Sequence, residues 1–237
     1  MAGSSDLFLN AGYAYPKPLI EVNGLPMIQL VIENIGEITE PCEFIFIINN
    51  DEAVKYHLDN TLRLLTPHCE VIKLKKGTKG GLCSVLMSID HIKPDDSLMI
   101  VNGDQIIGED FNRFLNHWKQ NAADAAVVTF RSVHPRWSYA RIENGQVMQT
   151  AEKNPISNYA IAGYYYFANA ATFFECAFQT IKNDVKLNGN YYISPVINEY
   201  VLKNKKVLNY DIASSQYHSL YSPQMLNEFE KNNKNGD

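Results

Sequence analysis

Four cysteines stand among 237 residues, and none makes a Cys-x-x-Cys pair. That argues against a disulfide scaffold and against a zinc ribbon. Three of the four (among Cys42, Cys69, Cys83 and Cys176) fall in apolar segments and read as buried, reduced thiols. The six histidines are scattered, with no His-x-x-x-His and no Cys/His cluster, so a zinc site is not expected. Positive charge is also scarce. The formal net charge is −5 and no long basic run exists, which excludes non-specific nucleic-acid binding through phosphate neutralisation. The nearest candidate, KLKKGTK (73–79), reads as a strand end and a solvated loop, with an anion site as the alternative. No window approaches the roughly twenty apolar residues of a membrane span. The start lacks the basic and apolar regions of a signal peptide. A cytoplasmic location with no membrane and no nucleic-acid partner is the expectation.

What is present is the balance of an ordinary globular chain, 46% hydrophobic and 20% charged. The length suits one full-sized domain. In the first half, strand and helix signals alternate. PMIQLVIENI (26–35) has helical spacing after a proline suited to a first turn. CEFIFIINN (42–50) is long and apolar enough for a buried parallel strand. DEAVKYHLDNTLRLL (51–65) reads as one helix with acids in its first turn. CEVIKL (69–74) is a second strand, GGLCSVLMSI (80–89) a second helix, and SLMIVNGD (97–104) a third strand. Such alternation predicts an α/β domain with a mixed, mostly parallel sheet, whose ligands gather at the carboxyl ends of the strands.

The second half reads differently. Helices are expected over 110–121, 172–184, 194–204 and 222–232, and strands over 124–133, 137–143, 146–153, 159–170 and 206–213. ENGQ (143–146) is a hairpin turn. The tail NNKNGD reads as frayed.

Three constellations can carry chemistry. The first is the small-residue loop Ala2-Gly3-Ser4-Ser5, followed by Lys17 between two prolines. Small residues let backbone N–H groups approach phosphate oxygens, and a lysine adds a compact charge. A plain turn fits the same residues. The second is IVNGDQ, where Asp104 ends a hydrophobic strand after Asn102 and Gly103. It suits Mg²⁺ held against phosphates, and equally a helix cap or an Asx turn. The third is Glu152-Lys153 at a strand end, able to hold sugar hydroxyls and a phosphate, or simply an exposed pair. The tyrosine-rich stretches, Tyr164 to Tyr166 and Tyr191-Tyr192 among them, fit core packing or a sugar pocket.

In their order along the chain, these motifs resemble the sugar-phosphate nucleotidyltransferases, which include glucose-1-phosphate thymidylyltransferase and related pyrophosphorylases. The likeness runs from Met1 to about Phe229. It is most specific in GYAYPKPLIEVNGLPMI, IVNGDQ and AEKNPISNYAIAGYYYF. Within that group the chain is similar to small members of bacterial capsule and surface-polysaccharide synthesis.

The resemblance implies a Rossmann-like, three-layer α/β/α fold of the glycosyltransferase-A kind. It implies a single domain over 1–237, with 1–104 a nucleotide-binding half and 105–237 a sugar-phosphate half. It also implies an NTP and a sugar phosphate as substrates, Mg²⁺ as cofactor, and self-association into a homo-oligomer as an option.

By motif, Ala2, Gly3, Ser4 and Ser5 wrap the phosphates, with Asn102 and Gly103 on the nucleotide side. Lys17 neutralises the reacting phosphate and Asp104 binds the metal. Gly80 and Gly81, with Thr78 nearby, meet the base. Glu152 and Lys153 hold the sugar hydroxyls and the sugar phosphate, and Tyr139 and Gly163 flank the sugar.

The chain departs from the family pattern in five places. The loop normally reads Gly-x-Gly-x-Arg, but here Ser5 replaces the second Gly and Leu7 the Arg. Tyr-Gly is Tyr139-Ala140, and Ser219 stands where a second metal-binding Asp is usual. A hydrophobic strand that precedes the loop in the family has no counterpart before Met1, so the first strand is expected to be missing, at the cost of backbone partners for its neighbours. Two alternatives stand beside an active transferase: a catalytically impaired binding relative, and a glycosyltransferase of the same fold.

Overall fold

The computed structural model describes residues 1–36 and 38–234. The chain opens with a short helix α1 (Asp6–Leu9), a small hairpin of β1 (Glu21–Val22) and β2 (Leu25–Pro26), and α2 (Met27–Ile35). Then come β3 (Ile45–Asn49), α3 (Asn50–Tyr56), α4 (Leu58–Leu65), β4 (Glu70–Leu74), α5 (Gly81–Leu86), β5 (Leu98–Val101), β6 (Gln105–Ile107) and α6 (Phe111–Gln120). The second half holds β7 (Ala125–Arg131), β8 (Ser138–Glu143), β9 (Gln146–Glu152), β10 (Tyr159–Phe167), α7 (Ala170–Lys182) and α8 (Val196–Leu202). It closes with β11 (Val207–Asp211), β12 (Tyr217–Ser219) and α9 (Pro223–Lys234). The last three residues of the expected frayed tail lie outside the described residues.

Two compact units result, and both are discontinuous in sequence. The first comprises 1–77, 102–111 and 215–237; the second comprises 78–101 and 112–214. They cut across a division at residue 104, because Thr78–Gly81 belongs to the second unit and Asn102–Asp104 to the first.

In the first unit β3 and β4 pair in parallel, as a βαβ connection requires, and β6 pairs antiparallel with β12. Asn23 and Gly24 join β1 to β2 with φ of 51° and 85°. This Asn-Gly hairpin is a two-residue turn signal as strong as ENGQ. The helix expected over 51–65 is two helices, broken at His57 (φ 55°). On a continuous helix Leu58 would lie about 140° round from Ala53. The left-handed residue re-aims the chain, and Ala53, Leu58 and Leu62 all reach one core with Ile28, Val31, Phe46 and Ile48. A second cluster joins Phe8, Ile20, Val22 and Met27 to Leu220, Leu226 and Phe229.

The second unit carries a six-stranded sheet in the order β5-β10-β7-β11-β9-β8. Only β7–β11 is parallel; the other described pairs in this sheet are antiparallel. The sheets are mixed, as expected, with fewer parallel pairs than the early strand-helix alternation suggests. The reason is that the later strands are joined by hairpins and by β10, which runs against β5, β7 and β8. At ENGQ, Asn144 and Gly145 take φ of 49° and 76°, and Glu143 faces Gln146. This is the left-handed pair of a tight hairpin turn.

Helix α6 buries Phe111, Phe114, Leu115 and Trp118, one stripe at helical spacing. Tyr164, Tyr165 and Tyr166 are core residues. Of the cysteines only Cys176 is buried, its thiol pushed up to about 11 chiefly by that burial; Cys42 is exposed, and Cys69 and Cys83 are half-buried.

Candidate functional site

In the first unit the structure brings together Ser5, Lys17 and Asp104. Pro16 holds an extended backbone (φ −65°) before Lys17, and buried Pro18 follows it within a short 3-10 turn. The two fixed prolines leave the lysine little backbone freedom. Its Nζ donates to Asp104 Oδ2 at 2.6 Å, and both side chains are mostly buried. The Tyr221 ring lies 5.3 Å from the same ammonium. Asp104 neither caps a helix nor makes an Asx turn; its carboxylate faces Lys17, and its carbonyl accepts from Leu220 N–H. Asn102 and Gly103 lead into it, Gly103 packing against the Met1 side chain.

Ser5 is the informative departure. Its backbone carbonyl starts α1, and its hydroxyl accepts Lys17 N–H at 3.0 Å and donates to Glu52 Oε1 at 2.8 Å. A glycine could make neither side-chain bond. Ser4 caps locally through Asp6 N–H, and Gly3 stands in open space. Leu7, in the place of the family Arg, is about half exposed on α1.

Glu52 was not legible as a site residue. Its place in the first turn of α3 is visible in sequence, with Asn49 accepting from Asp51 and Glu52 N–H. Its contact with residue 5 is not. Burial pushes the Glu52 carboxyl up, against the Ser5 hydrogen bond and the Lys17 ammonium that pull it down. Its second oxygen is buried without a partner among the described residues. Ser219 sits in β12 opposite Gln105, and the N–H of the next residue, Leu220, bonds the Asp104 carbonyl, so the chain carries a hydroxyl rather than a second carboxylate at that position.

In the second unit Glu152 ends β9 and accepts two hydroxyl donors on one oxygen, Ser138 at 2.5 Å and Ser194 at 2.7 Å. Both donors fill Oε2, which leaves Oε1 for a ligand. The Tyr165 hydroxyl is kept neutral, raised first by burial and then by the Glu152 charge. Behind the carboxylate, Asn198 clamps the β9 backbone by accepting from Thr150 N–H and donating to Thr150 C=O. Lys153 follows with φ 52° and donates to the Tyr192 hydroxyl at 3.0 Å. The pair 152–153 is therefore not an exposed ion pair: each member has its own holder. A cavity of about 210 Å³ is lined by Thr150, Glu152, Lys186, Tyr192, Pro195 and Asn198.

Gly80 has a φ of 102°, and a Cβ there would lie 2.3 Å from the Tyr191 carbonyl oxygen. Only glycine fits, because two backbone hydrogen bonds cross at that point: Tyr191 N–H to Lys79 C=O, and Leu82 N–H to Tyr191 C=O. Gly81 opens α5, and Thr78 bonds Gly80 C=O and Ser84. Gly163 (φ 77°) sits at the register shift of β10. The Tyr139 side chain is fully buried with its hydroxyl on His134 C=O, so only its backbone could meet a ligand.

Among the described residues no three His, Cys, Asp or Glu side chains gather into a metal cage. Asp104 alone fits Mg²⁺ that brings most of its ligands as phosphate oxygens and water. Of the lysines in KLKKGTK, Lys73 lies within β4 and is paired with Asp59, while Lys75, Lys76 and Lys79 are exposed, which favours the strand-end and solvated-loop reading. No described helix is long and apolar enough to cross a membrane.

A parallel β3–β4 pair and a lysine–aspartate contact in the first unit, and a held Glu-Lys in the second, define an α/β protein with two candidate polar sites. The chain belongs to the nucleotidyl transferase family, which matches residues 10–215, a span that begins beyond the Ala2–Ser5 loop. Two curated relatives are informative. The bifunctional protein GlmU of Methanococcus aeolicus is 27% identical over 161 residues, covering 65% of this chain and 35% of that protein. Glucose-1-phosphate adenylyltransferase of Ruminiclostridium cellulolyticum is 30% identical over 118 residues, covering 46% and 28%. The chain thus spans about a third of the length of these relatives. Among solved structures, a nucleoside-diphosphate-sugar pyrophosphorylase from Vibrio cholerae superposes with a TM-score of 0.87 at 23% identity, over 98% of both chains. The inositol-1-phosphate CTP transferase of T. maritima gives 0.75 at 14% identity, over 97% of this chain and 91% of that one. These likenesses establish the fold, a Rossmann-like nucleotide-sugar pyrophosphorylase fold, and bear out the sugar-phosphate nucleotidyltransferase resemblance.

Proposed function

We propose that the protein joins an NTP to a sugar or polyol phosphate and releases pyrophosphate, supplying a precursor for bacterial surface polysaccharide in the cytoplasm. The observation that carries this reading is the Lys17–Asp104 contact at 2.6 Å, tied to the loop through Ser5. An acceptor phosphate oxygen attacks the α-phosphorus in line. The new P–O bond forms as the bond to the β-phosphate breaks, and pyrophosphate carries away the electron pair. No covalent enzyme intermediate is needed, so the protein's contribution is positioning and charge neutralisation.

In this reading Lys17 and Asp104 satisfy each other until phosphates arrive, when the ammonium turns to the phosphate oxygens. Asp104 would hold Mg²⁺, which would supply further positive charge at the phosphates. Backbone N–H groups of Ala2, Gly3, Ser4 and Ser5, with Asn102 and Gly103, line the nucleotide side. Thr78, Gly80 and Gly81 meet the base. Glu152 offers Oε1 to a sugar hydroxyl, Lys153 meets the sugar phosphate, and the backbone at Tyr139 and Gly163 bounds the sugar. The cavity beside Glu152, about 210 Å³, is smaller than the roughly 300–1,000 Å³ of a drug-sized pocket and suits one small substrate portion. The inositol-phosphate transferase among the structural neighbours is why a polyol stands beside a sugar.

One observation favours an impaired binding relative: half-exposed Leu7 cannot grip β- and γ-phosphates as an arginine would. Calorimetry with CTP, UTP, dTTP, GTP and ATP, with and without Mg²⁺, followed by pyrophosphate release against a panel of sugar and polyol phosphates, separates the two. Turnover with any pair removes the impaired reading. Binding without pyrophosphate release removes the transferase.

A further inference from the structure

Tyr192 has no assigned role beyond its place in a tyrosine-rich stretch, yet its hydroxyl oxygen accepts the Lys153 ammonium at 3.0 Å, and the ammonium lies 5.0 Å from its ring centroid. A phenol that accepts one hydrogen bond still has its own O–H to donate. Tyr192 lines the cavity together with Glu152 and Lys186, and the Lys153 ammonium reaches its hydroxyl. We propose that Tyr192 and Lys153 form a two-donor clamp for the phosphate of the acceptor substrate, Tyr192 both setting the ammonium and offering its O–H to a phosphate oxygen. This rests on the reading of the Glu152–Lys153 region as the acceptor-phosphate site.

Two features of the chain favour a built arrangement. Lys153 is a non-glycine residue in the left-handed region, a conformation that its surroundings must hold in place. That turn throws its side chain out of the β9 line immediately after Glu152. Tyr192, in turn, has little freedom. On one side Tyr191 is fixed by two backbone hydrogen bonds to Lys79 and Leu82, and its hydroxyl donates to Asp184 at 2.6 Å. On the other, Ser194 holds Glu152. The segment 191–194 therefore sets both acceptor-side groups, the carboxylate through Ser194 and the ammonium through Tyr192. Its docking against Gly80 ties them to the segment read as meeting the base.

The test uses the full chain and inorganic phosphate as the probe, followed by NMR of ¹³C,¹⁵N-lysine and ¹³C-tyrosine labels. In the wild type, phosphate is expected to shift the Lys153 ammonium and Tyr192 ring signals with one common affinity. In Tyr192→Phe, which keeps the ring, the Lys153 signal should move before any phosphate is added, and phosphate affinity should fall about tenfold. The clamp is overturned if phosphate moves neither signal in the wild type, or if Tyr192→Phe leaves both the Lys153 signal and the affinity unchanged. The wild-type titration reads the clamp even if the variant is poorly folded. Pyrophosphate release is measured alongside. A Tyr192-dependent phosphate response without turnover upholds the clamp and overturns the transferase reading; turnover with no such response does the reverse.

Discussion

The two units each present one lysine that the proposed function assigns to a phosphate, and they hold that lysine in opposite ways. Lys17 is mostly buried, set by flanking prolines, and bonded to a carboxylate. Lys153 is exposed, set by a strained backbone, and bonded to a phenol. A carboxylate competes with a phosphate for an ammonium, so in the proposed function Lys17 would change partner when the ligand binds. A phenol is acceptor and donor at once, so it can keep the ammonium and join it on the same phosphate. The first arrangement suits a group whose charge matters most at the reacting phosphorus. The second suits one that orients a ground-state ligand.

That contrast breaks most sharply at Lys17. Lys17→Ala should lower kcat on the order of a hundredfold or more, the scale of losing one preorganised charge at a transition state, with a much smaller change in KM for the acceptor. Lys153→Ala should do the converse, raising acceptor KM about tenfold or more with a modest change in kcat. Steady-state pyrophosphate release under variation of each substrate reads both. Equal effects of the two variants on kcat would erase the distinction drawn here.

Next in size is Gly80→Ala. The added Cβ would meet the Tyr191 backbone in a conformation that alanine rarely adopts. A loss of about 2 kcal/mol or more is expected in urea unfolding, from overpacking and the positive φ together. Gly81→Ala should cost far less, since nothing lies within 4 Å of its Cβ position. Similar losses at the two glycines would mean that the Gly80 crossing is not what holds the 191–194 segment.

Which parts were legible follows from how far each contact reaches along the chain. The strand and helix periods, ENGQ, and the order of Lys17, Asp104, Glu152 and Lys153 are local patterns, and the elements formed where they lie. The break at His57 was not visible, because it is dictated by where Ala53, Leu58 and Leu62 must point. The β1–β2 hairpin carried a readable Asn23-Gly24 signal that short strands made easy to pass over. Ser5 looked like a lost glycine because its value lies in Glu52, 47 residues away. Tyr192 and Ser194 support residues about 40 positions earlier, and nothing in a single sequence marks such pairs.

A smaller effect sharpens the account of the Lys17 side. Leu7 is half exposed on α1, in the place of the arginine expected to grip the outer phosphates. Leu7→Arg removes little packing and restores a bidentate donor, so NTP affinity should rise about tenfold in calorimetry, with the Lys153-side phosphate response unchanged. No gain would mean that the Ser5–Glu52 contact has already reshaped the loop around a different phosphate geometry.

The smallest effect expected is a pH dependence that belongs to the first unit and not to either lysine. His218 lies half-buried in β12 with its ring 5.2 Å from Phe229, and burial lowers its pKa below the ordinary value near 6.5. In the window between the lowered folded value and about 6.5, the unfolded chain binds the proton and the folded chain does not. Stability therefore rises with pH there: it is fully present above about 6.5 and is lost as pH falls toward and through the folded value. Chemical denaturation at several pH values from 5 to 7.5 should show this slope in the wild type and a shallower one in His218→Gln. Identical slopes would place the acid sensitivity elsewhere. Glu52 is separable from it by sign, because a carboxyl raised by burial makes the fold lose stability as pH rises through the carboxylate range, the opposite direction to His218.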